Sequence, residues 1–273
     1  MHFSERLEQA WAQHDSMLCV GLDPDLRKLP ECVLREVDPI FSFLRAIVDA
    51  TAPHCAAFKP QIAYFAAAGA ERSLERVMDY IARQHPKHFR LLDAKRGDIG
   101  DTAEMYAREA FERYGADAVT VNPYLGPEGF EPFLRDPARG CFLLCRTSNA
   151  GSDEVQLHGR TPLYQTIALA AAGRWNSQGN LGLVAGATQP AALAEIRRLA
   201  KDLPLLVPGI GAQGGDVQAV VSGGRSSAGY GLLINSSRAI LYAAADRGFA
   251  EAAGAAAEHA CREIRQAARV ASE

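Results

Sequence analysis

Short apolar runs rich in β-branched residues recur along the chain, and between them lie longer stretches in which apolar positions return every three or four residues. The first kind predicts strands over 17–23, 54–59, 89–95, 117–122, 141–146, 181–187, 205–208 and 231–235. The second kind predicts helices over 40–52, 70–84, 102–114, 127–134, 162–175, 190–201, 214–221 and 249–268, each with a charged outer face. Strict alternation of strand and helix implies parallel strands joined by right-handed crossovers. Eight such units close most simply into an α/β fold, a (β/α)8 TIM barrel, here preceded by an extra amphipathic helix over 1–11; an open doubly wound sheet is the other arrangement compatible with the pattern.

Composition narrows this picture. The 273 residues, 48% of them hydrophobic, suit one barrel, a unit of about 250 residues, and no linker divides them, so a single domain over 1–273 is expected. A net charge of −3 gives no global attraction to nucleic acid or to an anionic membrane. The first residues lack the apolar stretch of a signal peptide and no later segment is apolar enough to span a bilayer, so a cytoplasmic protein is expected. The six cysteines form no C-x-x-C pair and the histidines have no zinc-ligand spacing; the cysteines read as small buried hydrophobes, and no metal is expected.

In a barrel of this kind the loops after the strands form the functional face. Strand-end positions there are Asp23, Lys59, Asp93 and Lys95, Asn122, Ser148, Thr188, Pro208 and the segment Asn235-Ser236-Ser237-Arg238. The run Asp93-Ala94-Lys95-Arg96-Gly97-Asp98-Ile99 is the most informative of them, because Asp93 and Lys95, two apart on a strand, are expected on one side, with Asp98 following in the loop. A bare D-x-K-x-x-D is equally a strand-end ion pair followed by a helix-capping aspartate. Convergence of Asp23, Lys59, Asp93, Lys95 and Asp98 on one mouth favours chemistry, since alternating acids and lysines keep one another ionised in a pocket of low dielectric. The glycine-rich segment 208–215 and Arg238 lie on the seventh and eighth loops, where such barrels often hold phosphate.

These segments carry a resemblance. Together with Phe58-Lys59-Pro60-Gln61, Thr120-Val121-Asn122-Pro123-Tyr124, Arg146-Thr147-Ser148-Asn149 and Ile234-Asn235-Ser236-Ser237-Arg238, the block D-x-K-R-G-D-I-x-x-T makes the chain similar to the orotidine 5′-phosphate decarboxylase family in its longer bacterial form. The resemblance implies a carboxy-lyase that converts orotidine 5′-monophosphate to uridine 5′-monophosphate (UMP) and CO2, the last step of UMP and pyrimidine biosynthesis, without metal or cofactor. It implies Lys95 as proton donor to pyrimidine carbon six, Asp93 against the departing carboxylate, and Lys59 and Asp23 on the ribose. It further implies Ser148 and Pro208 beside the base, Gln213, Ser237 and Arg238 on the phosphate, and a homodimer in which Asp98, Ile99 and Thr102 reach the neighbouring subunit's site. Ser237 departs from the glycine common in shorter members, but it still offers its backbone N–H.

Two other readings compete. A magnesium-dependent sugar-phosphate decarboxylase or aldolase shares the bare D-x-K-x-x-D, but Lys59 stands where a metal-binding acid is needed. A catalytically silent nucleotide-binding protein on the same fold is separated from an enzyme by mutating Lys95.

Overall fold

The computed structural model describes residues 1–210 and 215–271. Its strands are β1 (Leu18–Leu22), β2 (Ala57–Pro60), β3 (Phe89–Arg96), β4 (Ala118–Val121), β5 (Gly140–Arg146), β6 (Leu181–Ala185), β7 (Leu205–Pro208) and β8 (Leu232–Ser236). They form a closed barrel in chain order, every pair parallel, and β1 meets β8 with Leu18 opposite Ile234 and Val20 opposite Ser236. The expected α/β (β/α)8 barrel is therefore the observed one, and the open sheet is excluded. Strands in such a barrel are covered by helices outside and by one another inside, which is why β1 and β6 are buried along their whole length and read as unbroken apolar runs.

The extra N-terminal helix, Phe3–His14, closes the end of the barrel away from the strand C-termini. Phe3 packs edge-on to Phe89 and Phe142 at 5.8 and 6.0 Å, and Trp11 donates through its indole N–H to the Leu232 carbonyl at 2.8 Å. Gly140 makes room for this plug: a Cβ there would lie 2.0 Å from the Phe3 ring. With that end filled by apolar side chains, the polar interior is confined to the opposite mouth.

Several boundaries differ from expectation, each for a local reason. β2 starts at Ala57 because Pro53 belongs to a 3-10 turn, Ala52–His54. β4 stops at Val121 because the Asn122 side chain accepts the Tyr124 N–H and caps another 3-10 turn. The helix expected over 102–114 begins at Gly100 and ends as a π-helical turn, Glu109–Arg113. The one expected over 127–134 divides into a 3-10 turn, Pro127–Gly129, and a short helix, Glu131–Leu134. The one expected over 214–221 runs Val217–Gly224, started by Asp216, whose carboxylate accepts the N–H groups of Gln218 and Ala219. The cysteines are free, and all but the half-buried Cys32 are buried. Among the described residues no helix is long and apolar enough to cross a membrane.

Candidate active site

The strand C-termini bring Asp23, Lys59, Asp93, Pro208, Asn235, Ser237 and Arg238 around one cavity of about 180 Å³. A larger hollow of about 450 Å³ between residues 24–27 and 63–68 is mostly apolar and contains no acid–lysine network, so chemistry and not size identifies the site.

Asp93 is the hub. One carboxylate oxygen accepts from Lys59 Nζ at 2.9 Å; the other accepts from Lys95 Nζ at 2.6 Å and from the Thr120 hydroxyl at 2.9 Å. Burial alone would raise the Asp93 pKa, but Lys59 and Lys95 outweigh it and hold the carboxyl well below the usual carboxylate range. Burial likewise works against the Lys59 ammonium, and Asp93 and Asp23 outweigh it to hold that group above lysine's ordinary value. The network is charged because its members are together; removing one leaves the others in a costly environment.

The two lysines differ. The Lys59 side chain is 4% exposed, whereas that of Lys95 is 45% exposed, so one is buried in the cavity wall against Asp93 and the other pairs with Asp93 while open to solvent. Asp23 carries a buried oxygen, Oδ1, without a hydrogen-bond partner among the described residues, and Asn235 Oδ1 is in the same condition. Two unpaired acceptors at the edge of one cavity suit the hydroxyl donors of a ligand.

The Asp93–Lys95 contact was expected from simple strand alternation, but the structure makes it differently. β3 and β4 are in register at Leu92 and Val119 and again at Arg96 and Val121, so residues 93–95 of β3 stand opposite Thr120 alone. Within this bulge Lys95 has φ +48°, a left-handed conformation that costs a residue with a Cβ about 1–2 kcal/mol. Thr120 was not read as a site residue. The available signal was a hydroxyl inside the otherwise apolar run Ala118-Val119-Thr120-Val121.

The other expected residues fall into two groups. Ser148 is half-buried just beyond β5, its carbonyl accepting from the Thr188 hydroxyl at 3.2 Å, and its backbone lies against Gly186. The loop after it is braced by buried Arg146, which donates to the Ser152 hydroxyl at 2.5 Å and pairs with Asp153, while Gln156 accepts the Thr147 N–H at 2.9 Å. Arg238 is exposed and pairs with no carboxylate among the described residues. Gln213 lies outside the described residues. Asp98, Ile99 and Thr102 are not drawn into the cavity of their own chain: Asp98 is half-buried and accepts the Ile99 N–H at 2.9 Å, and Ile99 and Thr102 are exposed.

The model of the orotidine 5′-phosphate decarboxylase / HUMPS family matches residues 16–253, from the last residues before β1 to the start of the final helix. The chain belongs to that family. A family relative from Azoarcus sp. (strain BH72), named orotidine 5′-phosphate decarboxylase, is 56% identical over 259 residues, 94% of this chain and 96% of that one. One of the same name from Ralstonia nicotianae is 53% identical over 269 residues, 97% and 99% of the two chains. Among solved structures, Leishmania donovani OMP decarboxylase superposes with a TM-score of 0.84 at 38% identity, covering 98% of this chain and 99% of that one. The family's likeness thus extends over the barrel and the site together.

Proposed function

We propose that this chain decarboxylates orotidine 5′-monophosphate to UMP and CO2 without metal or cofactor, as a cytoplasmic homodimer. The observation that carries the reading is the fixed, buried Asp93 carboxylate held by two ammonium groups, of which Lys59 is buried and Lys95 is open to solvent.

With the substrate carboxylate beside Asp93, the bond between that carboxylate and pyrimidine carbon six breaks and CO2 departs, leaving the electron pair on the ring carbon. Lys95 Nζ gives a proton to that carbon, forming UMP, and the resulting neutral amine regains its proton from solvent. An ammonium already in place stabilises the developing carbanion without reorganisation, which is where such a site gains its rate. Lys59 fixes Asp93 from behind, and Asp23, with its unpaired buried oxygen, accepts from the ribose. Arg238 and the backbone N–H of Ser237 take the phosphate, with Gln213, while Ser148 and Pro208 flank the base. A magnesium-dependent reaction is opposed by Lys59, whose buried ammonium 2.9 Å from Asp93 repels a divalent cation.

The dimer assignment rests on two features. Asp98, Ile99 and Thr102 are not among the residues lining their own chain's cavity, and Ile99, Met105, Tyr124 and Leu125, on neighbouring segments, expose large apolar surface. Asp98 accordingly completes the partner's catalytic set. The test is direct: chelator-treated protein is mixed with orotidine 5′-monophosphate and UMP formation is followed, with Lys95→Ala in parallel. Metal-independent turnover lost in the variant supports the reading; a folded wild-type protein without turnover removes it.

A further inference from the structure

We infer that Thr120 is a positioning residue for the proton donor, acting through the bulge in β3; the inference rests on the decarboxylase reading and names the device that sets the Asp93–Lys95 geometry of that site.

Three observations combine. First, the ladder between β3 and β4 fails opposite Thr120, so the N–H groups of Ala94 and Lys95 have no carbonyl on β4 to receive them. Both donate instead to the Thr120 hydroxyl oxygen, at 3.0 and 2.9 Å. Secondly, the same hydroxyl donates its own hydrogen to Asp93 at 2.9 Å, on the oxygen that also accepts from Lys95 Nζ. A hydroxyl has one hydrogen and two lone pairs, so this group, 1% exposed, is fully used by three consecutive residues of β3. Thirdly, the bulge contains the left-handed Lys95. The other described non-glycine residue with positive φ is Asp15, which ends the first helix and whose short acidic side chain is of the type that tolerates this region; Lys95 has no such local aid. Its conformation is held from outside, by the bond to its own N–H.

The consequence is geometric. In a regular strand the Lys95 backbone would lie in the ladder and its ammonium would be aimed by strand pleat alone. In the bulge the lysine turns back on Asp93, and one buried hydroxyl fixes both partners at once. Such a residue affects the step in which the proton moves and leaves the binding of nucleotide at the far side of the cavity unchanged.

Thr120→Val keeps the shape and branching of the side chain and removes the hydroxyl, and Thr120→Ser keeps the hydroxyl and removes the methyl. For Thr120→Val we expect kcat for orotidine 5′-monophosphate to fall about 10- to 100-fold, the size of effect associated with a hydrogen bond to a charged group. KM and the affinity for UMP, which lacks the carboxylate, should stay within about two-fold, and Thr120→Ser should recover kcat to within about three-fold of wild type. Wild-type kcat in Thr120→Val, equal loss in the Ser and Val variants, or parallel loss of kcat and UMP affinity overturns the inference. Wild-type protein assayed alongside reports separately on the decarboxylase reading. A crystal structure of Thr120→Val decides the geometry without any assay: the inference is overturned if Lys95 keeps its positive φ and its contact with Asp93.

Discussion

The two sides of the barrel mouth are built differently. On the side of β2 to β4, Lys59, Asp93, Lys95 and Thr120 already satisfy one another through contacts of 2.6 to 2.9 Å. On the side of β7 and β8, the wall includes Gly209, the unpaired Asn235 Oδ1, two serines and an exposed arginine that has no carboxylate partner among the described residues. The first side is finished by folding and the second is finished by its ligand. A reacting carbon needs charges that do not have to rearrange as the bond breaks, whereas a phosphate arrives with its own charge and supplies the partner that Arg238 lacks.

Predictions follow from that division, and each can break it. Lys95→Ala should lower kcat by roughly 10⁴-fold, the upper range for a positioned acid, with UMP affinity little changed. If Arg238→Ala lowers kcat as far, the two sides are not separate in function. Asp93→Asn leaves Lys59 buried without its hydrogen-bonded counter-charge and should cost about 3–5 kcal/mol of folding stability by denaturant titration, whereas Arg238→Ala should stay within about 0.5 kcal/mol. Arg238→Ala should instead raise KM about 10- to 100-fold, and orotidine, which has no phosphate, should be turned over equally slowly by both forms.

The smallest effects are in pH. Asp93 has a lowered folded pKa, so its contribution to stability is present above the unfolded value of about 3.9 and is lost as pH falls through the folded one. Lys59 has a raised folded pKa, so its contribution is present below the unfolded value of about 10.4 and is lost as pH rises through the folded one. The stability difference between wild type and Asp93→Asn should therefore be flat from about pH 5 to 9 and shrink in acid. His88, held down at about 4 by burial, weakens both proteins in acid and cancels from the difference. KM, in contrast, should rise as pH falls through about 6, where the substrate phosphate takes up its second proton.

How much of this was legible beforehand depended on distance along the chain. Strand-end charges such as Asp23, Lys59 and Asp93 stand out because each closes an apolar run, and the alternation of elements pointed to a barrel while leaving an open sheet compatible, which the closure of β1 onto β8 excludes. The bulge at Lys95 was invisible because it is a property of two strands: β3 alone reads as regular, and only Thr120 across the gap shows where its N–H groups go. The π-helical turn at Glu109–Arg113 escaped for the opposite reason, since its side chains keep a helical pattern while the backbone changes pitch. The brace of the loop after Ser148 also needed coordinates, because it is Arg146, a charged residue buried inside the preceding strand.

The seam between the first and last strands has a consequence in time. A Cβ on Gly21 would lie 1.8 Å from the Ser237 hydroxyl and 3.0 Å from Asn235 Oδ1, so the start of the chain is shaped to receive its far end. During synthesis Asp93 and its lysines leave the ribosome more than a hundred residues before Arg238. The nascent chain must carry those charges beside an unfinished wall until β8 docks, and only then does the vessel exist. An arrest series ending before and after β8 should show nucleotide binding switching on at that last strand, late and all at once.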